Sequence, residues 1–468
     1  MSVRPAPQST PPQQGDGLPG DTPEARGERA LDELTSARRG WLWIALACLI
    51  SVPWLVVRFF TDFHALSPTV VALLTGVAIL GAAFILSWAA EAFQMDVSQA
   101  LALALLSLIA VLPEYAVDVV FAWRAASDPT QAPYAVANMT GANRLLIGIG
   151  WSSVVILAWW RSRRVAAGRM RGAADPQVVG GAVKLERGQA LEIGALSLAT
   201  LYSFFIPLKG GIGLLDTVIL VSLFGVYAWA TSRVPAGHPE LVGPAATIGQ
   251  LAPTARRIMT DSMFVWAAIV IFAAAEPFAE GLVESGSALG IDEFLLVQWV
   301  APLASESPEF LVALLFVWRG TASAGLRTLV ASKVNQWTLL IGTLGVAYSI
   351  ALGSVANLPL DTRQTEELFL TSAQSLFALI LIANFDLSLK ESLVLLATFL
   401  LQLFFPSTEV RLVMAGLYVA FGIGLLIASP ARRATLLQIP AMIRESITPA
   451  PQPRETVGER GQSAPAAH

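Results

Sequence analysis

A segment of 13 residues occurs twice in this chain, each time inside a long apolar run. Residues 113–125 read PEYAVDVVFAWRA and residues 308–320 read PEFLVALLFVWRG, with six identities at a constant offset of 195. Each copy carries a Pro-Glu pair, so Glu114 and Glu309 are expected inside a bilayer, where a carboxylate is costly and usually marks an ion or substrate pathway. Two related halves with Pro-broken helices are typical of transporters whose site lies between the halves.

The composition restricts the class of protein further. Of 468 residues, 55% are hydrophobic and only 14% are charged, as in proteins with many transmembrane segments. The net charge of −4 gives no reason to expect a nucleic-acid partner. One cysteine, Cys48, and the scattered His64, His238 and His468 predict no disulfide framework and no thiolate or histidine metal site. The sequence has no phosphate-binding loop, so we expect no ATP drive and no cofactor.

Twelve apolar segments approach the length of about 20 residues that a bilayer crossing needs. They comprise residues 41–60, 68–93, 98–123, 133–160, 189–208, 213–232, 261–285, 291–318, 325–350, 366–384, 388–405 and 409–429. The first 40 residues and about the last 25 are rich in Pro, Gln, Gly and charge, and we expect them to be disordered.

The placement of Lys and Arg predicts the orientation of these segments. If the N-terminus is cytoplasmic, the cytoplasmic side holds 23 of the 30 basic residues and the outer side holds five. The connector at 161–188 contributes seven of them. We therefore expect a multi-pass protein of the cytoplasmic membrane with both termini in the cytoplasm.

A second pair of similar segments fixes how the halves correspond. AAEAF at 89–93 matches AAEPF at 274–278, so the second apolar segment corresponds to the seventh. Corresponding segments are five apart, an odd number, and the halves must therefore cross the membrane in opposite directions. The predicted fold class is an all-α polytopic membrane protein of about 12 transmembrane helices with two inverted five-helix repeats. The predicted parts are a disordered cytoplasmic N-tail (1–40), an extra first helix (41–62), a first repeat (67–233), a cytoplasmic linker (234–260), a second repeat (261–405), an extra last helix (408–430) and a cytoplasmic C-tail (431–468).

A polar cluster follows each Pro-Glu segment: ANMTGANRLLIG at 137–148 and VASKVNQWTLLIG at 330–342. Carboxylate, amide and hydroxyl oxygens form a ligand set for hard cations. With these clusters the chain resembles the cation/calcium exchanger superfamily, which carries two inverted repeats, each with a G-T-S-x-P-E helix followed by a G-N-x-x-G-S-N helix. The resemblance implies a ten-helix core over the second to eleventh segments.

The Pro-Glu helices and the polar clusters supply the candidate site. Pro113 and Pro308 are expected to break their helices, and Glu114 and Glu309 to be the central cation ligands. Asp118, one turn after Glu114, is either a further ligand or an acid at the extracellular mouth. The full set of expected cation ligands is Glu114, Glu309, Glu306, Asp118, Asn138, Asn143, Ser305, Ser332 and Asn335.

Two basic residues in the polar clusters lie too deep for easy access to an interface. Lys333 and Arg144 are expected to compensate the buried carboxylates, because an unpaired buried cation is costly. The chain also departs from the superfamily pattern, with Ile109, Ala110 and Val111 in place of Gly-Thr-Ser.

These residues predict a secondary antiporter that exchanges Ca²⁺ against Na⁺ or H⁺, with inorganic cations and the bilayer as its partners and no covalent chemistry. A monovalent cation/proton antiporter on the same fold is the first alternative. A polytopic membrane enzyme or a cation channel is the alternative of another class, although no connector is long enough for an obvious catalytic site.

Overall fold

The computed structural model describes residues 23–96, 112–170, 174–233 and 241–447. Within these ranges the chain is predominantly helical. The α-helices are α1 Pro23–Phe60, α2 Pro68–Phe93, α3 Leu112–Arg124, α4 Ala132–Leu145, α5 Ser152–Ala166, α6 Ala190–Ser203, α7 Phe205–Lys209, α8 Leu214–Thr231, α9 Pro244–Gly249, α10 Pro253–Leu289, α11 Glu293–Arg319, α12 Ala322–Asn335, α13 Ile341–Leu352, α14 Thr362–Ile382, α15 Leu389–Phe404, α16 Thr408–Ala428 and α17 Pro430–Ile447. Two π-helical turns, Leu146–Trp151 and Gln336–Leu340, join α4 to α5 and α12 to α13.

Short β-strands in the connectors between helices pair with one another. They are β1 Val178–Val179, β2 Ala182–Lys184, β3 Gly211–Ile212, β4 Leu358–Pro359 and β5 Asp386–Ser388. All pairings are antiparallel: β2 lies between β1 and β5, and β3 pairs with β4.

The helices confirm a polytopic membrane protein. In the described residues eight helical segments are long and apolar enough to cross a membrane, and the bent α11 makes a ninth. The eight are Arg38–Phe60, Pro68–Phe93, Pro129–Ala166, Arg187–Lys209, Leu214–Thr231, Pro253–Leu289, Thr362–Ile382 and Thr408–Ala428. The remaining expected segments fall on α3, on α12 with α13, and on α15. The first part of the segment expected at 98–123 lies outside the described residues, and the count of twelve stays a prediction.

The central helices are more deeply buried than the peripheral ones. In the spans 129–166 and 362–382, 78% of the most apolar window is buried, whereas in 38–60 and 408–428 the share is 28%. The peripheral helices present large apolar side chains outward, as a lipid-facing surface does. The core of the protein therefore lies around 129–166 and 362–382, next to the polar clusters.

The two halves contact each other in a reciprocal way. The long helices α2 and α10, which carry the matching AAEAF and AAEPF segments, pack against one another. The Pro-Glu helix of the first half, α3, packs on α13 of the second half, and the Pro-Glu helix of the second half, α11, packs on α4 of the first. The Pro-Glu helix α11 thus lies against the polar helix α4 of the other repeat, and α3 lies against α13, which follows the second polar helix α12.

Both ends of the described chain are more helical than the sequence analysis expected. Helix α1 begins at Pro23, within the segment 1–40 that was expected to be disordered. Its first turns, PEARGERALDEL, are rich in strong helix formers, and Pro is favourable at the first helical position. Helix α17 lies in the expected C-tail and packs on α6, with Ile439 buried in the contact. Residues 1–22 and 448–468 lie outside the described ranges.

Candidate functional site

The candidate site is formed where the two Pro-Glu segments meet the polar helices. Glu114 lies in the first turn of α3, which begins one residue before Pro113. Helix α11 bends by 50° between Glu293–Ser307 and Glu309–Arg319. The bend falls at Pro308, where the chain has no backbone N–H for the helical hydrogen bond. Glu306 and Glu309 therefore flank the bend on either side. Residues 97–111, which precede α3, lie outside the described ranges. The expected helix break at Pro113 therefore stays a prediction.

Four acidic side chains are buried together at this position. The exposed fractions are 1% for Glu114, 0% for Asp118, 2% for Glu306 and 8% for Glu309. The carboxyl group of Glu114 faces that of Glu306, and Asp118 and Glu309 lie within electrostatic range of Glu114. The structure thus brings together all four acids that the sequence analysis selected.

Few hydrogen-bond donors reach these carboxylates. Asn138 Nδ2 donates to Asp118 Oδ1 at 2.8 Å, and Gln336 Nε2 donates to Glu306 Oε1. Within the described part of the chain, both oxygens of Glu114 and one oxygen each of Asp118, Glu306 and Glu309 have no hydrogen-bond partner. Buried polar atoms normally have partners. Five carboxylate oxygens without one are therefore available to a cation or to protons.

The polar helices of the two repeats align residue by residue. Helices α4 and α12 both have 14 residues, and a π-helical turn follows each of them directly. Their sequences align at an offset of 194, where Val136 matches Val330, Ala137 matches Ala331 and LLIG at 145–148 matches LLIG at 339–342, so Asn138 of the first half corresponds to Ser332 of the second. π-Helical turns are rare and frequently occur at functional sites.

Lys333 lies at the centre of this arrangement. Its side chain is fully buried, and Nζ donates to Asn143 Oδ1 at 2.7 Å and to the Asn143 carbonyl oxygen at 3.4 Å. Nζ also lies 4.2 Å from the centre of the Trp337 ring. Asn143 of the first repeat and Lys333 of the second therefore contact each other directly across the boundary between the repeats.

Arg144 has a different partner from the one that the sequence analysis considered. Its guanidinium forms an ion pair with Glu367 of α14, and both side chains are 2% exposed. Arg144 Nη1 also donates to Gln402 Oε1 at 3.5 Å, and the guanidinium lies 4.9 Å from the centre of the Trp299 ring. Arg411 Nη1 approaches the second oxygen of Glu367 at 3.6 Å. Arg144 thus compensates Glu367 and not the four acids.

The hydroxyl and amide candidates lie in the same region with different roles. The Ser305 hydroxyl donates to backbone oxygens of its own helix, at Ala301 and Pro302. The Ser332 hydroxyl is buried and has no hydrogen-bond partner among the described residues. Asn335 is buried at the last position of α12.

Two polar residues of the buried networks were not in the expected site. Gln336 donates to Glu306, and Glu367 pairs with Arg144. Gln336 follows Asn335 directly in the second polar cluster, and Glu367 is an acid inside an apolar segment. Both features were visible in the sequence and could have selected these residues.

A glycine allows the helices of the site to approach closely. A Cβ atom on Gly141 of α4 would lie 1.8 Å from the backbone oxygen of Gln298 in α11. Only glycine fits there without a backbone shift. The first-half motif residue Gly141 therefore holds the polar helix of one repeat against the Pro-Glu helix of the other.

The arrangement is an oxygen-rich ion site without a preformed multi-carboxylate cage. Among the described residues, no group of three or more Asp, Glu, His or Cys side chains converges closely enough to hold a metal ion. A divalent cation at Glu114 and Glu306 would therefore need amide, hydroxyl, backbone or water oxygens to complete its shell. Weak and incomplete coordination is suitable for an ion that has to be released after each crossing.

Comparison with a family profile places most of the chain in one family. The profile described as "Sodium/calcium exchanger protein" matches residues 67–233 and 262–408. The two matched ranges coincide closely with the two repeats expected from the sequence. No curated protein matched the chain in a separate comparison.

Solved structures with a similar fold extend the comparison. A crystal structure of the H⁺/Ca²⁺ exchanger CAX has 41% sequence identity to this chain and a TM-score of 0.80, covering 88% of this chain and 99% of that one. The structure of native YfkE has 14% identity and a TM-score of 0.52, covering 81% of this chain and 99% of the other. The first is similar in sequence and fold, and the second in fold alone.

Proposed function

The chain belongs to the sodium/calcium exchanger protein family, and from the geometry of its site we propose that it is a secondary active antiporter that exchanges Ca²⁺ against H⁺. The observation that carries the proposal is the buried contact between the carboxyl groups of Glu114 and Glu306 at the boundary of the two repeats. In an antiporter the competing ions use the same ligands in turn, which couples their fluxes. Carboxylates bind both protons and Ca²⁺, so one set of side chains serves both ions.

Two observations support H⁺ over Na⁺ as the counter-ion. The similar structure with 41% identity is described as an H⁺/Ca²⁺ exchanger. The first repeat also has Ile109, Ala110 and Val111 in place of the Gly-Thr-Ser of the superfamily pattern, which removes hydroxyl oxygens. Hydroxyl oxygens are ligands for metal cations, whereas protonation of a carboxylate needs none.

The charges of the site fit one divalent ion. With all groups ionised, Glu114, Asp118, Glu306 and Glu309 contribute four negative charges and Lys333 one positive charge, a sum of −3. Arg144 does not enter this sum because it neutralises Glu367. One Ca²⁺ together with one proton would balance the site, and uncompensated charge is costly in the low-dielectric interior.

The protein is a multi-pass membrane protein, and we assign it to the cytoplasmic membrane with both termini in the cytoplasm on the distribution of basic residues. The transported ions are its only proposed small-molecule partners, without a bound cofactor. Its relatives are exchangers and not enzymes of covalent chemistry.

The proposal is tested with purified protein in liposomes. Uptake of radioactive Ca²⁺ is measured with an outward proton gradient, with an outward Na⁺ gradient, and with neither. We expect uptake with the proton gradient alone. Uptake driven only by Na⁺ would assign Na⁺ as the counter-ion, and Ca²⁺ movement that no counter-ion flux accompanies would indicate a channel.

A further inference from the structure

A basic side chain of the second repeat lies in the centre of the site, in contact with an amide of the first. Asn143 of helix α4 presents the amide, and Lys333 of helix α12 presents the ammonium. An amide can contribute an oxygen ligand to a cation, whereas an ammonium has only donors and repels cations. At the offset of 194 the first repeat has Met139 where the second has Lys333, so the charge of the site is asymmetric between the repeats.

The contacts of Lys333 are those of a charged group. Nζ donates both hydrogen bonds to oxygens of Asn143, and the face of the Trp337 ring, 4.2 Å away, is the electron-rich side that attracts a cation. An ammonium has three N–H donors. Buried cations are normally paired with anions, because an isolated one costs several kcal/mol.

Lys333 nevertheless forms no direct ion pair within the described residues, where none of the carboxylate oxygens comes within 4.0 Å of Nζ. Glu114 and Glu306 lie within electrostatic range of it. The carboxyl groups of these two acids face each other and leave oxygens without donors. The ammonium thus lies beside the two carboxyl groups, where a bound cation would also be attracted.

We propose that the Lys333 ammonium is a built-in cation that fills the position of a second transported cation beside Glu114 and Glu306, so that the site carries one divalent ion per cycle. The inference rests on the proposed function and determines its ion specificity and stoichiometry. The flexible four-carbon stem of lysine lets Nζ approach the two carboxylates when the cargo leaves and return to Asn143 when the cargo binds.

Replacing this ammonium by a neutral amide should open the second position. In a Lys333→Asn variant the site loses one positive charge and gains an amide oxygen. We expect this variant to exchange one further monovalent cation per Ca²⁺. Lys333→Arg keeps the charge, and Lys390→Asn removes an exposed lysine outside the site; both should retain the wild-type stoichiometry.

The experiment uses the four proteins in liposomes. The number of counter-ions per Ca²⁺ is obtained from the Ca²⁺ gradient at which net flux stops, at a set pH gradient and membrane potential. A shift of one charge per Ca²⁺ in Lys333→Asn alone supports the inference. An unchanged stoichiometry in Lys333→Asn, or the same shift in Lys390→Asn, overturns it.

A measurement on the wild-type protein covers the case in which Lys333→Asn does not insert or fold. Competition of Na⁺ with bound radioactive Ca²⁺ in detergent should have a Hill coefficient of about 1, because a single position is open to the competing cation. A coefficient of about 2 would contradict a built-in cation. Absence of gradient-driven Ca²⁺ flux in the wild type would instead refute the proposed function itself. Failure of the proposed function is therefore distinguishable from failure of the inference about Lys333.

Discussion

At the scale of single residues, the buried charges form two groups with different roles. Glu114, Asp118, Glu306 and Glu309 keep oxygens without donors, and Glu114 and Glu306 lie within electrostatic range of Lys333. The second group is a closed network in which Arg144 pairs with Glu367, and Arg411 pairs with Glu366 at 2.8 Å and approaches Glu367 at 3.6 Å. The first group is open to ions, and the second joins helix α16 to the core.

The Arg144–Glu367 pair is expected to be structural. Replacing Arg144 by Met leaves the Glu367 carboxylate buried with only the longer contact to Arg411, and removal of one partner of a buried ion pair costs about 3–5 kcal/mol. Replacing both residues by Met leaves no unpaired charge at this position and should cost less. Thermal unfolding in detergent measures both variants. A double variant that is less stable than Arg144→Met alone would contradict the assignment.

At the scale of helices, the close contact between α4 and α11 positions the two halves of the site. It depends on Gly141, where a Cβ atom would meet the Gln298 oxygen at 1.8 Å. It also places Asn143, two residues later, next to Lys333. A change in the spacing of these helices should therefore change the ion site directly.

Gly141→Ala is expected to reduce Ca²⁺ transport strongly while the protein still inserts into the membrane, because α4 must move away from α11 to accept the methyl group. Gly416→Ala in α16 is the matched control, since nothing lies within 4 Å of a Cβ at that position. The measurement is initial Ca²⁺ uptake per inserted molecule. Wild-type uptake by Gly141→Ala would show that the spacing is not critical.

A second helix contact predicts a dependence of stability on pH. Asp96, after α2, accepts hydrogen bonds from Arg256 of α10 at 2.6 and 2.9 Å and from Arg257 at 3.1 Å. The hydrogen bonds from Arg256, followed by that from Arg257, hold the pKa of Asp96 below its usual range. A lowered folded-state pKa gives stability that is present above the unfolded-state pKa of about 3.9 and is lost as the pH falls through the folded-state value.

Asp96→Asn should accordingly lower the unfolding temperature at neutral pH, and its difference from the wild type should shrink as the solution is acidified below about pH 4. Asp261→Asn removes an exposed acid on the same helix α10 and should have little effect at any pH. A pH-independent loss of stability in Asp96→Asn would show that its charge is not the cause.

At the scale of the whole molecule, connectors expected on one side of the membrane contact one another. The β1–β2–β5 sheet joins two expected cytoplasmic loops, and Lys184 pairs with Asp386 across it. The β3–β4 pair joins two expected outer loops. Arg363, in the same connector as β4, pairs with Asp292 at the outer end of the segment expected at 291–318. These contacts agree with the division of the connectors into two sides that the basic residues predicted.

Labelling of introduced cysteines tests this division. In a Cys48→Ser background, Val179→Cys and Val355→Cys place a thiol at positions that are 56% and 78% exposed. A membrane-impermeant maleimide applied to intact cells should label Val355→Cys and leave Val179→Cys unlabelled until the cells are opened. Labelling of both residues from the same side would refute the predicted topology.

Much of this fold was predictable because bilayer physics leaves strong signals in a sequence. Apolar length gave the helices. The duplicated Pro-Glu segments gave Glu114, Asp118 and Glu309, and Glu306 lies two residues before the second segment; all four stood out because intramembrane carboxylates are rare. The partners of the basic residues were not predictable. Lys333 and Arg144 have similar motif positions, yet one contacts Asn143 and the other Glu367. Which buried acid a cation meets depends on how helices far apart in sequence pack. The helical start of α1 is not predictable from average composition, because Pro-rich sequence precedes it directly in the first 40 residues.

The central claim is that Ca²⁺ and protons use the same buried carboxylates, and simultaneous measurement of both fluxes tests it most directly. Wild-type protein, Glu114→Gln, Glu309→Gln and the exposed control Glu186→Gln are reconstituted in liposomes that contain a Ca²⁺ indicator and a pH indicator. The account predicts coupled and opposite Ca²⁺ and proton movement in the wild type and in Glu186→Gln, and loss of both fluxes together in the two site variants. Ca²⁺ and proton movement that continues at the wild-type rate in Glu114→Gln and Glu309→Gln would contradict it.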